Sequence, residues 1–466
     1  MPEANMTDKV TRMLGIRRGW GDGVMRFTLL IIIVTYLLIG FQYAALTPAW
    51  QVPDEPAHYN VIRQIAQTGQ LPQLEVGDYD QTYMEQIVGQ GFPPDLPVDR
   101  LEYQDYQPPL YYLLLAPVFI LFNGALLPLR LSSLLLGAGV LVLAFLTIRA
   151  LFPAQPALAF LATGVIAFIP QHIAMLAGVN NDSLSELFIA WGLWWMTRSL
   201  TVSKLGRPWE LGLILGLAFI TKVQAYALAP VAALFLLMHW RAMGWGAWRR
   251  LVGIALWIAV PALLIGLFYW GRNWLVCGPL DVVCGQWHNH VVVGQPTTAA
   301  WIAEQGWANY LERFFTFTFD SFWGVFGWMG MFMDQRVYWA LLVFSIGLIV
   351  GGLGALRRWS ALTTAQREGI GLLAFSGLVT LSLYLYYNFG FVQHQGRYLF
   401  PALIPIGLGA AVGLWQWVGW AAALIRRLPY VSRFEPYTQT VLAFTPIVAM
   451  AALCVFALYR FILPAL

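Results

Sequence analysis

The sequence predicts an all-α polytopic membrane protein of about eleven transmembrane helices. Composition, a series of long apolar runs and a one-sided distribution of cations predict it. Hydrophobic residues fill 59% of the 466 positions and charged residues only 11%. That leaves too little polar surface to dissolve a globule. No internal repeat, low-complexity stretch or soluble domain is visible, so residues 1–466 read as a single membrane domain.

The first apolar run, Phe27 to Leu46, exceeds a signal-peptide core and has no small-residue cleavage site behind it, so it reads as a retained helix. Its flank carries Lys9, Arg12, Arg17, Arg18 and Arg26, which predicts a cytoplasmic amino terminus. The other expected spans are residues 129–149, 156–178, 182–202, 208–221, 224–240, 249–270, 337–357, 368–389, 398–425 and 438–462. Leu110 to Phe122 falls short of the ~20 residues a span needs and reads as an interfacial helix. With that choice, eighteen of the 27 cations, including the pairs Arg249-Arg250, Arg357-Arg358 and Arg426-Arg427, fall on the cytoplasmic side. Making the segment a true span would invert every later loop and put those pairs outside.

Two long segments are then extracytoplasmic, residues 47–128 and 271–336. Loops of this length usually carry function, and Ala57, Val61, Ile65 and Ala66 give the first one a helix-like spacing over Ala57 to Gln67. Residues 208–221 and 224–240 form a tight hairpin with Lys222 at its outer tip.

The residues that could carry chemistry collect at this outer edge. Asp54 and Glu55, between Pro53 and Pro56, stand just beyond the first span. A carboxylate there can deprotonate an acceptor hydroxyl or ligate a metal, the alternative being a pair of solvated loop acids. His58 would share a face with Asp54 if a helix begins there, as a local cap or a second ligand. Arg130, Lys222 and Arg397 are cations on the side where cations are scarce, and together they could bind a phosphate headgroup. Each alone is more often a snorkelling anchor; for Arg130 the two readings are even, and for Arg397 the phosphate role is favoured. Asp182 opens a span after Asn180-Asn181, with Ser183 and Glu186 at capping-box spacing, so it is a cap, a second acid, or both. Cys277 and Cys284 could form a disulfide in an oxidising exterior or remain thiols. Trp287, Trp301, Trp307, Trp323 and Trp328 could stack on sugars or dip into the membrane. His288 and His290 would need further ligands to hold a metal.

Several motifs, in order, resemble the GT-C integral-membrane glycosyltransferases, nearest to the protein O-mannosyltransferase and aminoarabinose-transferase type. They are Asp54-Glu55-Pro56-Ala57-His58-Tyr59, Gln107-Pro108-Pro109-Leu110-Tyr111-Tyr112, Arg130-Leu131-Ser132-Ser133, Asn180-Asn181-Asp182 and Gln395-Gly396-Arg397-Tyr398-Leu399-Phe400-Pro401. The resemblance implies an inverting transferase that moves a sugar from a polyprenyl-phosphate donor to a glycan, lipid or protein acceptor on the non-cytoplasmic side of the cell membrane. It implies Asp54 as catalytic base with Glu55 in support. Substrate-binding roles are expected for His58, Gln107, Tyr111, Arg130, Asp182, Lys222, His394, Arg397 and Tyr398. Relatives often carry Lys or His where this chain has Gln107. A neutral amide supplies no charge, so phosphate stabilisation would shift to Arg130, Lys222, Arg397 or a divalent metal ion. No nucleic-acid partner is expected. A transporter or flippase of a lipid-linked sugar is the alternative, and it predicts symmetric halves and polar residues at mid-membrane depth. A third is an assembly factor that keeps the fold without the chemistry.

Overall fold

The computed structural model of the protein describes residues 22–202, 205–427 and 435–465. Lys9, Arg12, Arg17, Arg18, Lys204 and Arg433, on which part of the expected sidedness rests, lie outside the described residues.

The chain is a helical membrane protein. Among the described residues, eight helical stretches are long and apolar enough to cross a bilayer. They are built on α1 (Asp22–Leu46), α5 (Leu126–Leu151), α10 (Leu228–Met243), α11 (Trp248–Val276), α14 (Gln335–Ala355), α15 (Thr364–Gly390), α16 (Leu403–Ile425) and α17 (Glu435–Ala457). A ninth is available if α6 (Pro156–Ala167) and α7 (Pro170–Leu176) count together; they meet at 66°, where Pro170 cannot continue the ladder of α6.

The expected count of eleven is not confirmed, and two segments account for the difference. Helix α8 (Asp182–Thr201) carries Asp182, Glu186 and Arg198, and α9 (Pro208–Phe219) has 12 residues, a rise of about 18 Å. Both are nevertheless packed inside the bundle, α8 against α5 and α9 against α11. The Leu110 segment forms α4 (Leu110–Leu121), 12 residues with Pro117 inside it, likewise about 18 Å long and too short to span.

Close approach of backbones organises part of the bundle. A Cβ on Gly413 would stand 2.3 Å from the Leu348 carbonyl oxygen, and one on Gly351 2.3 Å from that of Gly413. Helices α14 and α16 therefore touch main chain to main chain, which only glycine permits.

The segment between α1 and α5 folds as a small layer on one end of the bundle. It contains α2 (Glu55–Thr68), α3 (Gln81–Gly89) and α4. Ala57, Tyr83, Met84, Ile87, Leu101 and Tyr103 form an apolar cluster of its own, closed by Val292 from the second long segment. Helix α3 is capped by Asp80, whose Oδ1 accepts from the Thr82 and Tyr83 amides. The second segment adds α12 (Gly285–Val291), the kinked α13 (Thr298–Trp323, broken at Gly306) and a hairpin of β1 (Val325–Phe326) and β2 (Met331–Phe332). Cys277 and Cys284 form a disulfide that closes the turn before α12.

Candidate active site between the long loops and the helix ends

Asp54 is the residue before α2 and sits in the left-handed region (φ 66°, ψ −5°). Asp tolerates that region better than most non-glycine residues, but holding it there costs on the order of 1–3 kcal/mol. The strain turns the carboxylate away from its own helix: it makes no cap bond to α2. Arg397 Nη2 donates to Asp54 Oδ2 at 2.8 Å and the Tyr103 hydroxyl donates to Oδ1 at 3.0 Å. Burial pushes the Asp54 carboxyl up, but Arg397 beside it and the two hydrogen bonds outweigh burial and hold it below the usual carboxylate range. It is an ionised, oriented acceptor.

Arg397 lies in the 3-10 turn Gly396–Ala402 that leads into α16. Its Nε donates to Gln395 Oε1 at 2.7 Å, its Nη1 approaches Met175 Sδ at 3.8 Å, and its guanidinium carbon lies 5.4 Å from the centre of the Tyr398 ring. One donor on Nη2 goes to Asp54. Three of the five guanidinium hydrogens are thus engaged, and the other two can serve a ligand.

A second acid–base pair stands nearby: Lys222 Nζ is 2.6 Å from Asp182 Oδ1. His58 feels both pairs. It is fully buried, its Nδ1 is 2.8 Å from the Tyr112 hydroxyl, and burial first, then Lys222 and Arg397, pull its pKa down to about 3 against the opposing pull of Asp54 and Asp182. The imidazole is neutral. Asn181 Nδ2 lies 3.3 Å from the same Tyr112 hydroxyl and 3.2 Å from Gln107 Oε1. Gln107 Nε2 donates to Gln104 and to the Tyr106 hydroxyl.

Glu55 and Arg130 are brought together with each other instead. Arg130 Nε and Nη2 donate to Glu55 Oε1 and Oε2 at 2.8 and 2.6 Å, and the other donors reach the carbonyls of Ala44, Thr47 and Pro48. Glu55 also accepts from the amides of Trp50 and Val179. All five Arg130 donors are occupied inside protein. Contrary to the expectation of a phosphate ligand, Arg130 ties α1, α2 and α5 together. Tyr111 is similar: its hydroxyl pairs with Ser133 Oγ and accepts from the Asn180 amide. His394 is buried between Tyr310 and Phe314, both ring nitrogens without a hydrogen-bond partner among the described residues, and burial with Arg313 nearby lowers its pKa to about 4.

The capping box expected at Ser183 and Glu186 does not form. Ser183 Oγ donates to the Asn180 carbonyl, and Glu186 Oε2 lies 2.8 Å from His172 Nε2 deep in the bundle. A buried acid that finds a histidine partner has no reason to turn back to its helix end. Sequence reasoning missed this pair and Tyr103. His172 and Glu186 are 14 positions apart, and Tyr103 had only the acidic, tyrosine-rich run 102–106 to mark it. His288 and His290 rest against Tyr106 and Trp287. Among the described residues no three His, Cys, Asp or Glu side chains gather as a metal-ligand set.

A small, largely apolar cleft lies next to the Asp54–Arg397 pair, lined by Pro53, by Met175, which Arg397 touches, and by Val52, Phe326 and Met331 among others.

A family model described as dolichyl-phosphate-mannose-protein mannosyltransferase matches residues 106–265, roughly a third of the chain. The chain resembles the GT-C membrane glycosyltransferases. The matched segment holds Gln107, Tyr111, Arg130, Asp182 and Lys222 and stops short of Asp54 and Arg397. Among solved structures, ArnT from Cupriavidus metallidurans bound to undecaprenyl phosphate is similar at 15% identity and TM-score 0.49, covering 93% of this chain and 73% of that one. Its apo state is similar at 16% identity and TM-score 0.49, covering 93% and 72%. The Archaeoglobus fulgidus oligosaccharyltransferase tethered with an acceptor peptide is similar at 14% identity and TM-score 0.47, covering 91% and 55%. No curated protein matches the chain.

Proposed function

We propose that the protein is a glycosyltransferase that moves a sugar from a polyprenyl-phosphate-linked donor to an acceptor at the non-cytoplasmic face of the cell membrane, inverting the anomeric centre. The whole chain acts as one membrane domain, amino terminus in the cytoplasm, with the segments 47–128 and 271–336 roofing the site. The observation that carries this reading is the Asp54–Arg397 pair: a strained, ionised carboxylate 2.8 Å from a guanidinium with donors to spare, at the rim of an apolar cleft.

In the proposed reaction the acceptor hydroxyl gives its proton to Asp54 as its oxygen attacks the anomeric carbon. The bond from that carbon to the lipid phosphate breaks on the opposite side, and the phosphate departs with the electron pair. One displacement inverts the centre. Arg397 and Lys222 face the charge that develops on the departing oxygen, which is where preorganised cations lower a barrier most. Arg397 also couples the two events. A phosphate that draws on the guanidinium weakens its hold on Asp54, raising the affinity of that carboxylate for a proton when donor is bound. Glu55 supports the base through the backbone, by pinning the turn that carries Asp54. Asp182 holds Lys222.

Asp54→Asn in purified, folded protein tests the reading: sugar transfer is expected to vanish while the donor lipid still binds. Unchanged turnover would remove Asp54 from the reaction.

A further inference from the structure

The proposed reaction leaves one partner of Arg397 without a task. Gln395 Oε1 accepts from Arg397 Nε at 2.7 Å, Gln395 Nε2 donates to Gln393 Oε1 at 2.9 Å, and Gln393 Nε2 reaches Gln295 Oε1 at 3.4 Å. Three side-chain amides thus form a ladder from the guanidinium to the second long segment. Its direction is set at the Arg397 end. A guanidinium only donates, so Gln395 has to present its oxygen there and is left with its amide hydrogens for Gln393.

The backbone beneath the ladder is held by the same segment. The Val392 amide donates to the Pro296 carbonyl at 2.9 Å, and the Gly396 amide donates to Ser321 Oγ at 2.8 Å. A Cβ on Gly396 would lie 2.3 Å from the Thr318 carbonyl oxygen, so the turn that begins at this residue rests directly on the main chain of α13. Gln395 is therefore a fixed acceptor.

With Asp54 and the soft contact to Met175 alone, the guanidinium of Arg397 could pivot. A further hold on its Nε edge defines its plane, and with it the direction of the two N–H bonds still free for a ligand. The chemistry of that holder matters as much as its place. A carboxylate at position 395 would also accept from Nε, but it would set a second anion against Arg397 in competition with a phosphate; an amide accepts without charge. We propose that Gln395 is a positioning residue for the transfer reaction, aiming Arg397 at the lipid phosphate while leaving the charge of that cation to Asp54 and the phosphate. This rests on the reading of Arg397 as the phosphate-binding cation and deepens it by naming the residue through which that cation is set.

The test uses the full-length protein in phosphatidylcholine nanodiscs, with undecaprenyl phosphate as the probe and the unfolding temperature measured for every variant. Gln395→Met, which removes the acceptor, and Gln395→Glu, which keeps the shape and adds a charge, should each weaken binding about fivefold or more. A residue that only supports the fold would be replaced well by the near-isosteric Glu, so lost affinity at an unchanged unfolding temperature separates positioning from structure. In an Arg397→Ala background, Gln395→Met should cost nothing further, because it acts through the side chain that is gone. Wild-type affinity in the folded Gln395 variants, or an equal loss with and without Arg397, overturns the proposal. Should Gln395→Met fail to fold, the affinity of Gln395→Glu decides. Binding by Arg397→Ala at the wild-type affinity would instead overturn the phosphate role of Arg397 itself, and this proposal with it.

Discussion

Replacing Arg130 by alanine separates two roles that its sequence position allows. As a lipid-phosphate ligand it would be dispensable for folding; as the partner of Glu55 it would not. Both side chains are buried, at 3% and 0% exposure. Removing the guanidinium takes two hydrogen bonds from the Glu55 carboxylate and one each from the Ala44, Thr47 and Pro48 carbonyls, five in total. Breaking a buried ion pair from one side costs about 3–5 kcal/mol. Arg130→Ala should therefore lower the thermal unfolding temperature in detergent substantially, and Glu55→Ala should do the same by stranding the guanidinium. The double variant Glu55→Met/Arg130→Leu should recover part of the loss, because two apolar side chains leave no uncompensated charge. The assay is thermal unfolding at fixed detergent, alongside donor-lipid affinity measured on the folded fraction. If Arg130→Ala unfolds at the wild-type temperature but binds donor weakly, the structural argument fails and the phosphate role expected from sequence stands.

Arg397→Ala should weaken donor-lipid binding by about 10- to 150-fold, the worth of a charge-assisted hydrogen bond of roughly 1.5–3 kcal/mol, and a lipid-binding titration reads it directly. Tyr103→Phe removes a hydrogen bond that lowers the Asp54 pKa, so the acid limb of the rate profile should move to higher pH; a limb that stays put means Asp54 is not the titrating group. Asp105 has its pKa raised from 3.8 to about 8, chiefly by burial. The folded state thus holds a proton the unfolded state has lost, stability falls as pH rises from about 4 to about 8, and Asp105→Asn should flatten that fall in pH-dependent unfolding. Gly413→Val would drive a side chain into the Leu348 carbonyl and should destabilise by about 1–3 kcal/mol or more, measured as loss of folded yield or unfolding temperature. Cys277→Ser with Cys284→Ser opens a crosslink across a separation of seven residues and should cost about 2 kcal/mol of stability, with reductant lowering the wild-type unfolding temperature similarly.

What was legible in the sequence was whatever the bilayer enforces. Apolar runs have to be helices in lipid, so α1, α5, α11 and α14 follow from composition alone. The short Leu110 run was legible too, because a helix of 12 residues is too short to cross the hydrocarbon. Helices α8 and α9 show where the rule stops: they pack over most of their surface on other helices, α8 on α5 and α9 on α11, so apolarity and length no longer measure what they do. The pairing of charges was the least legible feature. Asp54 and Glu55 are adjacent in sequence yet serve different partners, Arg397 and Arg130, because the first is held in a left-handed turn that points its side chain away from the helix on which the second lies. Nothing in the spacing of acids and cations distinguishes those two outcomes, since the partners are 343 and 75 positions away.

That division of labour explains why the two acids cannot substitute for each other. Glu55 accepts two bonds from Arg130 and two from backbone amides and is wholly enclosed, so its lone pairs are spent and no hydroxyl can reach it. Asp54 accepts one bond per oxygen and keeps about a quarter of its side-chain surface open, which leaves lone pairs free for a proton. A shared acid site would place both carboxylates against one cation and raise the pKa of at least one. Here each carboxylate has its own arginine, so Asp54 stays ionised while Glu55 holds the turn still. Exchanging them, Asp54→Glu with Glu55→Asp, preserves charge but shortens the pin and lengthens the base by one methylene each. Both activity and unfolding temperature should drop, and retention of either at the wild-type value would show that the two positions are less specialised than their hydrogen bonds require.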